Sequence, residues 1–102
     1  MYLLNALSLM MVPPPCTIKV QEVSREYARE QDFVSALGHA DTAVLISALL
    51  GREVLANRVQ VRLAIGDCAM VAQYTGPRLP EGATSLPEGA EIKWLLVTVL
   101  GA

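Results

Sequence analysis

The stretch NRVQVRLAIGDCAMVAQYT, residues 57–75, decides how this chain folds. Val59, Val61 and Leu63 alternate with Gln60, Arg62 and Ala64, the two-residue period of a strand with one wet face. Ile65-Gly66-Asp67 supplies turn residues and Cys68–Thr75 is again apolar, so the reading is a β-hairpin. Downstream, GPRLPEGATSLPEGAE holds three of the six prolines and two Pro-Glu-Gly turns, which predicts a long loop before a buried strand, IKWLLVTVL. Upstream, Asp41–Leu50 carries an apolar stripe of Ala43, Ile46, Ala48, Leu49 and Leu50, and Gly51 is its stop, so a helix is expected there. REYAREQ after Ser24 is a shorter helix with an N-cap serine. CTIKVQEV alternates as a half-exposed strand, and MYLLNALSL reads as a central strand closed by Pro13-Pro14-Pro15. DFVSAL fits either a short strand or a continued helix.

The sum is one domain, residues 1–102, of the α+β (α/β) class: a single mixed sheet of about five or six strands with a few helices on one side. Two helices are too few to cover both faces, so one face is expected to stay open and a homodimer to cover it.

Composition narrows the function classes. Of 102 residues 53% are hydrophobic and 18% charged, which excludes a disordered chain. No apolar run reaches the roughly 20 residues a bilayer span needs. YLLNALSLMMV lacks a basic leading region and contains Asn5 and Ser8, so it reads as a buried strand and not a signal peptide. Cys16 and Cys68 have no partner spacing, which implies neither a zinc site nor a disulfide, and makes a reducing cytoplasm the default. A net charge of -2 argues against binding long nucleic acid. Residues 52–78 are nevertheless locally positive, with Arg52, Arg58, Arg62 and Arg78 against Glu53 and Asp67, enough for a small anion.

The chain has one histidine, His39, between Gly38 and the expected start of the second helix. A lone histidine is most often a core or capping residue. Here the glycine permits close backbone approach, and a helix N-terminus offers free N–H groups that suit phosphate. An imidazole beside such an anion site can donate a proton to a leaving alkoxide. Arg58 opens a strand where its guanidinium can meet a phosphate bidentately, or is a plain surface arginine. Gln73 ends a strand, and Arg78 and Glu81 lie on the following loop, as binding groups or as a surface ion pair. Glycine-rich phosphate loops, nucleophile elbows and metal-ligand clusters are absent. Metal-free RNA phosphodiester cleavage is among the few chemistries left, because the substrate brings its own 2′-hydroxyl nucleophile.

YLLNALS, GHADTAVLISALLG, NRVQVRL followed by GD, and VAQYTGPRLPEG, in that order, resemble the viral anti-CRISPR ring nucleases along nearly the whole chain. The resemblance implies a cofactor-free homodimer in the host cytoplasm that binds cyclic tetra-adenylate, the second messenger of type III CRISPR defence. It implies metal-independent cutting to linear di-adenylate ending in 2′,3′-cyclic phosphate. His39 then corresponds to the general acid, and Asn5, Ser8, Gly38, Arg58, Gln73, Arg78 and Glu81 to ligand contacts. The alternatives are a cyclic-oligonucleotide sponge or sensor that does not cut and, disfavoured by charge, a DNA-binding viral dimer.

Overall fold

A computed structural model describes residues 1–102. Five strands, β1 (Tyr2–Leu4), β2 (Thr17–Val23), β3 (Val34–Ser35), β4 (Cys68–Thr75) and β5 (Glu91–Leu100), form one mixed sheet in the order β2-β5-β4-β1-β3. β1 runs parallel to both β3 and β4, whereas β5 is antiparallel to β4 and β2. Two helices, α1 (Arg25–Glu30) and α2 (Ala40–Leu50), complete the α+β fold.

Local chemistry marks the start of α1 and the end of α2. The Ser24 hydroxyl accepts from the Tyr27 amide at 3.0 Å and caps α1. α2 stops at Gly51, whose φ of 72° is a left-handed conformation open to glycine. α2 buries Ala43, Leu45, Ile46 and Leu50, while Ala48 faces solvent, so the buried stripe is rotated from the expected one. DFVSAL resolves as the two-residue β3, paired beside β1.

One core layer lies between the helices and the sheet, with Leu3, Met70, Ala72 and Trp94 from the strands meeting Ala28, Ala43, Ile46 and Leu50. A second lies on the opposite face: Leu4, Val71, Val97 and Val99 are buried there with Val61 and Leu63.

That second layer corrects three expectations. Residues 59–64 form no strand, so the hairpin does not exist. β4 is hydrogen-bonded to β1 on one side and β5 on the other, which leaves no edge for a further strand. The alternation is real, but it serves a segment lying across the sheet face, with Val61 and Leu63 at 4% and 5% exposure. The face expected to be open is therefore covered by the chain itself, through this segment and the partly buried Leu7, Met11, Val12 and Cys16. The N-terminal strand is also shorter than expected. It ends at Leu4, and Leu9–Met11 form a 3-10 turn in which the Ser8 hydroxyl accepts from the Met10 amide. That turn anchors the covering segment: the Leu63 amide donates to the Met11 carbonyl at 2.7 Å.

If residues 59–64 are core, Leu63→Ala should destabilise the protein by about 2–4 kcal/mol through lost burial and a residual cavity. Chemical denaturation reads this directly; a loss below about 0.5 kcal/mol, the range of surface substitutions, would place the segment outside the core.

Candidate functional site

Because β1, β3 and β4 are parallel, their C-terminal ends open at one edge of the sheet. In sheets of this kind ligands settle outside those ends. Asn5 follows β1, Ala36–His39 follow β3, and Gln73 lies near the end of β4, so three separated parts of the chain converge on that edge.

Arg58 joins them through its neighbour. The Asn57 backbone amide donates to the Leu37 carbonyl at 2.8 Å, and its side-chain Nδ2 donates to the Ser35 carbonyl at 2.7 Å. This clamp carries Arg58 to Gly38: a Cβ built on Gly38 would lie 4.0 Å from Arg58 Nε and meet nothing nearer. Gly38 thus leaves the backbone open toward a guanidinium.

His39 occupies the N-cap of α2 in an extended conformation, with φ -128° and ψ 136°. Its carbonyl accepts from the Ala43 amide at 3.1 Å, while its side chain makes no cap hydrogen bond and is exposed. Caps are ordinarily Ser, Thr, Asp or Asn, whose oxygens satisfy first-turn amides. Here that work is left undone, and the imidazole is neither a core residue nor a cap.

Next to it lies a cleft of about 580 Å³ between the start of α2 (Asp41, Thr42, Leu45) and the loop residues Arg78–Glu81 and Ala83. The volume falls in the range of small-ligand sites, about 300–1,000 Å³. Gly76 fixes the root of the loop, with φ 142° and Ala90 so close that a Cβ would fall 2.7 Å from it. The Tyr74 hydroxyl donates to the Pro77 carbonyl at the same point.

The structure separates the expected site residues. Arg78 and Glu81 line the cleft without pairing; the chain's one ion pair is Arg25–Glu26 on α1. Gly38, His39 and Arg58 sit at the adjoining helix start. Gln73 is half-buried and donates from Nε2 to the Tyr74 carbonyl, on the sheet face away from the helices. Asn5 is exposed beyond β1, and Ser8 is engaged in capping the 3-10 turn; neither lines the cleft. Sequence reading missed the clamp made by Asn57 and the Gly82 partner of Asp41. The alternation that suggested a strand at 59–64 hid the clamp role of Asn57, and no local signal marks the bond between Asp41 and Gly82, 41 residues apart.

A family described as STIV B116-like matches residues 1–95. The uncharacterized protein ORF117 of Acidianus two-tailed virus is 36% identical over 88 residues, 80% of this chain and 74% of that one. The uncharacterized protein 26 of Sulfolobus islandicus filamentous virus is 32% identical over 87 residues, 80% of this chain and 73% of that one. Among solved structures, B116 of Sulfolobus turreted icosahedral virus superposes with a TM-score of 0.76 at 26% identity, covering 95% of this chain and 97% of the other.

Asn57→Ala should cost about 1–2 kcal/mol, the loss of a partly buried hydrogen bond with the Ser35 carbonyl left unsatisfied. Asn57→Asp, equal in shape but without a donor, should lose at least as much in urea unfolding. Wild-type stability in the Asp variant would mean the side-chain clamp is idle.

Proposed function

The chain belongs to the STIV B116-like family of viral proteins, and from that premise we propose that it is a metal-independent ring nuclease acting on cyclic tetra-adenylate, which switches off type III CRISPR signalling. The observation that carries this reading is the exposed, uncapped His39 at the start of α2, with Arg58 held beside Gly38. A scissile phosphate at that helix start would meet free backbone amides, a guanidinium and an imidazole together.

The chemistry follows from those three groups. A ribose 2′-hydroxyl of the ring attacks its own 3′-phosphorus and forms the 2′,3′-cyclic phosphate, its proton passing to solvent. The P–O5′ bond breaks, and His39, entering as imidazolium, donates its proton to the departing 5′-oxygen. The amides and Arg58 hold the phosphate oxygens as charge builds on them. No step requires a metal or cofactor. Arg78, on a loop fixed at its root by Gly76, would hold a second phosphate from across the cleft. In this reading the working unit is a homodimer, whose two histidines would serve the two cleavages that turn a four-nucleotide ring into two dinucleotides.

Two measurements test this. Labelled cyclic tetra-adenylate incubated with the protein in excess EDTA should yield di-adenylate bearing a 2′,3′-cyclic phosphate. His39→Ala should bind the ring nearly as well and cut it about 10²–10⁴-fold more slowly, since proton donation acts mainly in the transition state. Tight binding without cleavage by the wild type would make the protein a sponge, and equal cleavage by both proteins would remove His39 from the mechanism.

The unpaired guanidinium groups give a separate test. Arg58→Ala and Arg78→Ala should each weaken ring binding by about 1.5–3 kcal/mol in calorimetry, the range for a charge-assisted hydrogen bond. Unchanged affinity in both would place these side chains outside the site.

A further inference from the structure

The cleft lining contains two carboxylates, Asp41 and Glu81, against one guanidinium, Arg78, an unexpected balance for a site that receives phosphates. Asp41 has a partner in the cleft: its Oδ2 accepts from the Gly82 backbone amide at 3.3 Å. We propose that Asp41 is a latch and an internal anion: in the ligand-free protein it holds the tip of the Arg78 loop against α2 and occupies with its own charge the place an anionic ligand must take. The proposal rests on the anion-binding reading above and concerns how entry to that site is controlled.

Three observations converge on it. The loop is fixed at its root by Gly76 against Ala90 and by Tyr74 on Pro77. Beyond that root, the bond to Asp41 is the one hydrogen bond tying residues 78–86 to the rest of the chain; the Ala83–Pro80 bond is internal to the loop. Asp41 also stands in the first turn of α2, where a carboxylate is favoured by the exposed amide ends. The N-cap His39 gives those amides no side-chain acceptor, so Asp41 is the acidic group nearest the place where a phosphate would bind. An incoming phosphate competes with it for the same positive helix end, and a like charge at about 4 Å changes affinity by about fivefold in a water-like medium. Once Asp41 is displaced, the Gly82 amide is free and the loop tip is released from α2. Asp41 therefore positions Arg78 rather than touching the reacting atoms.

Three proteins test this: wild type, Asp41→Asn, which removes the charge and keeps an acceptor, and Asp41→Ala, which removes both. Amide hydrogen exchange at Gly82, measured without ligand, should be unchanged in the Asn variant and about three- to tenfold faster in the Ala variant. Both variants should bind inorganic tripolyphosphate about fivefold tighter than wild type at low salt, with the gap narrowing at high salt. With cyclic tetra-adenylate, Asp41→Asn should lower KM more than it alters kcat, a split that a purely structural role would not produce. Unchanged Gly82 exchange in Asp41→Ala overturns the latch. No gain in tripolyphosphate affinity in Asp41→Asn, or no binding by any of the three proteins, overturns the internal anion. If the tripolyphosphate and exchange results hold while none of the proteins binds the ring, the latch stands and the ring-nuclease reading falls.

Discussion

β4 has no free edge, and much of this molecule depends on that. Its backbone groups are taken by β1 on one side and β5 on the other. No further strand can pair with it, however well its sequence alternates. Residues 59–64 are therefore displaced from the sheet plane onto its surface, where Val61 and Leu63 close the second core layer. The displaced segment has to start somewhere, and it starts at Asn57, hydrogen-bonded to the backbone that leaves β3. Arg58 is beside Gly38 as a consequence of sheet pairing two elements away.

The same constraint builds the edge where the candidate residues gather. Placing β1 between two parallel partners aligns three strand ends, so the segments leaving those strands are brought to one rim. At that rim His39 holds a position usually given to a capping side chain and does not cap. The helix is thereby left less well finished than a serine or aspartate would leave it. Local compromises of this sort are expected where a site is built, since consistency across levels is relaxed there.

The features legible in the sequence were those that local chemistry dictates. Ser24 and Gly51 mark helix ends because a cap oxygen and a left-handed turn act within one turn of the chain. The strand Thr17–Val23 was readable from its alternation, and Cys68–Thr75 and Glu91–Leu100 from their apolar, β-branched content. Most of the failures depended on partners distant in sequence. The alternation at Val59, Val61 and Leu63 reports burial on one side and says nothing about whether a sheet edge is available. MYLLNALSL looked like one strand because it is apolar on both faces, although the strand ends at Leu4 and a capped 3-10 turn follows. The candidate site divides the same way. His39 and Gly38 stood out locally, and Arg78 and Glu81 were correctly assigned to the loop after β4, where they line the cleft. Asn57 and Asp41 act through bonds to Ser35 and Gly82, which spacing cannot disclose.

The arginines show how a chain with a net charge of -2 can leave cations over for the anion site proposed above. Along the sequence, residues 52–78 are one positive segment. In three dimensions it separates by role. Arg52 donates to the Arg29 and Gln31 carbonyls and stacks over Phe33, tying α1 to the end of α2. Arg62 donates to the Met10 carbonyl and fastens the covering segment to the 3-10 turn. Arg25, outside the segment, donates to the Leu49 carbonyl. Those guanidinium groups hold the fold together by satisfying carbonyls. Arg58 and Arg78 do not, and they stand at the helix start and in the cleft. A duplex footprint needs many cations spread along a face. Arg58 beside Gly38 and Arg78 in the cleft are guanidinium groups left over for the compact anion proposed above, with Asp41 lining the cleft alongside Arg78.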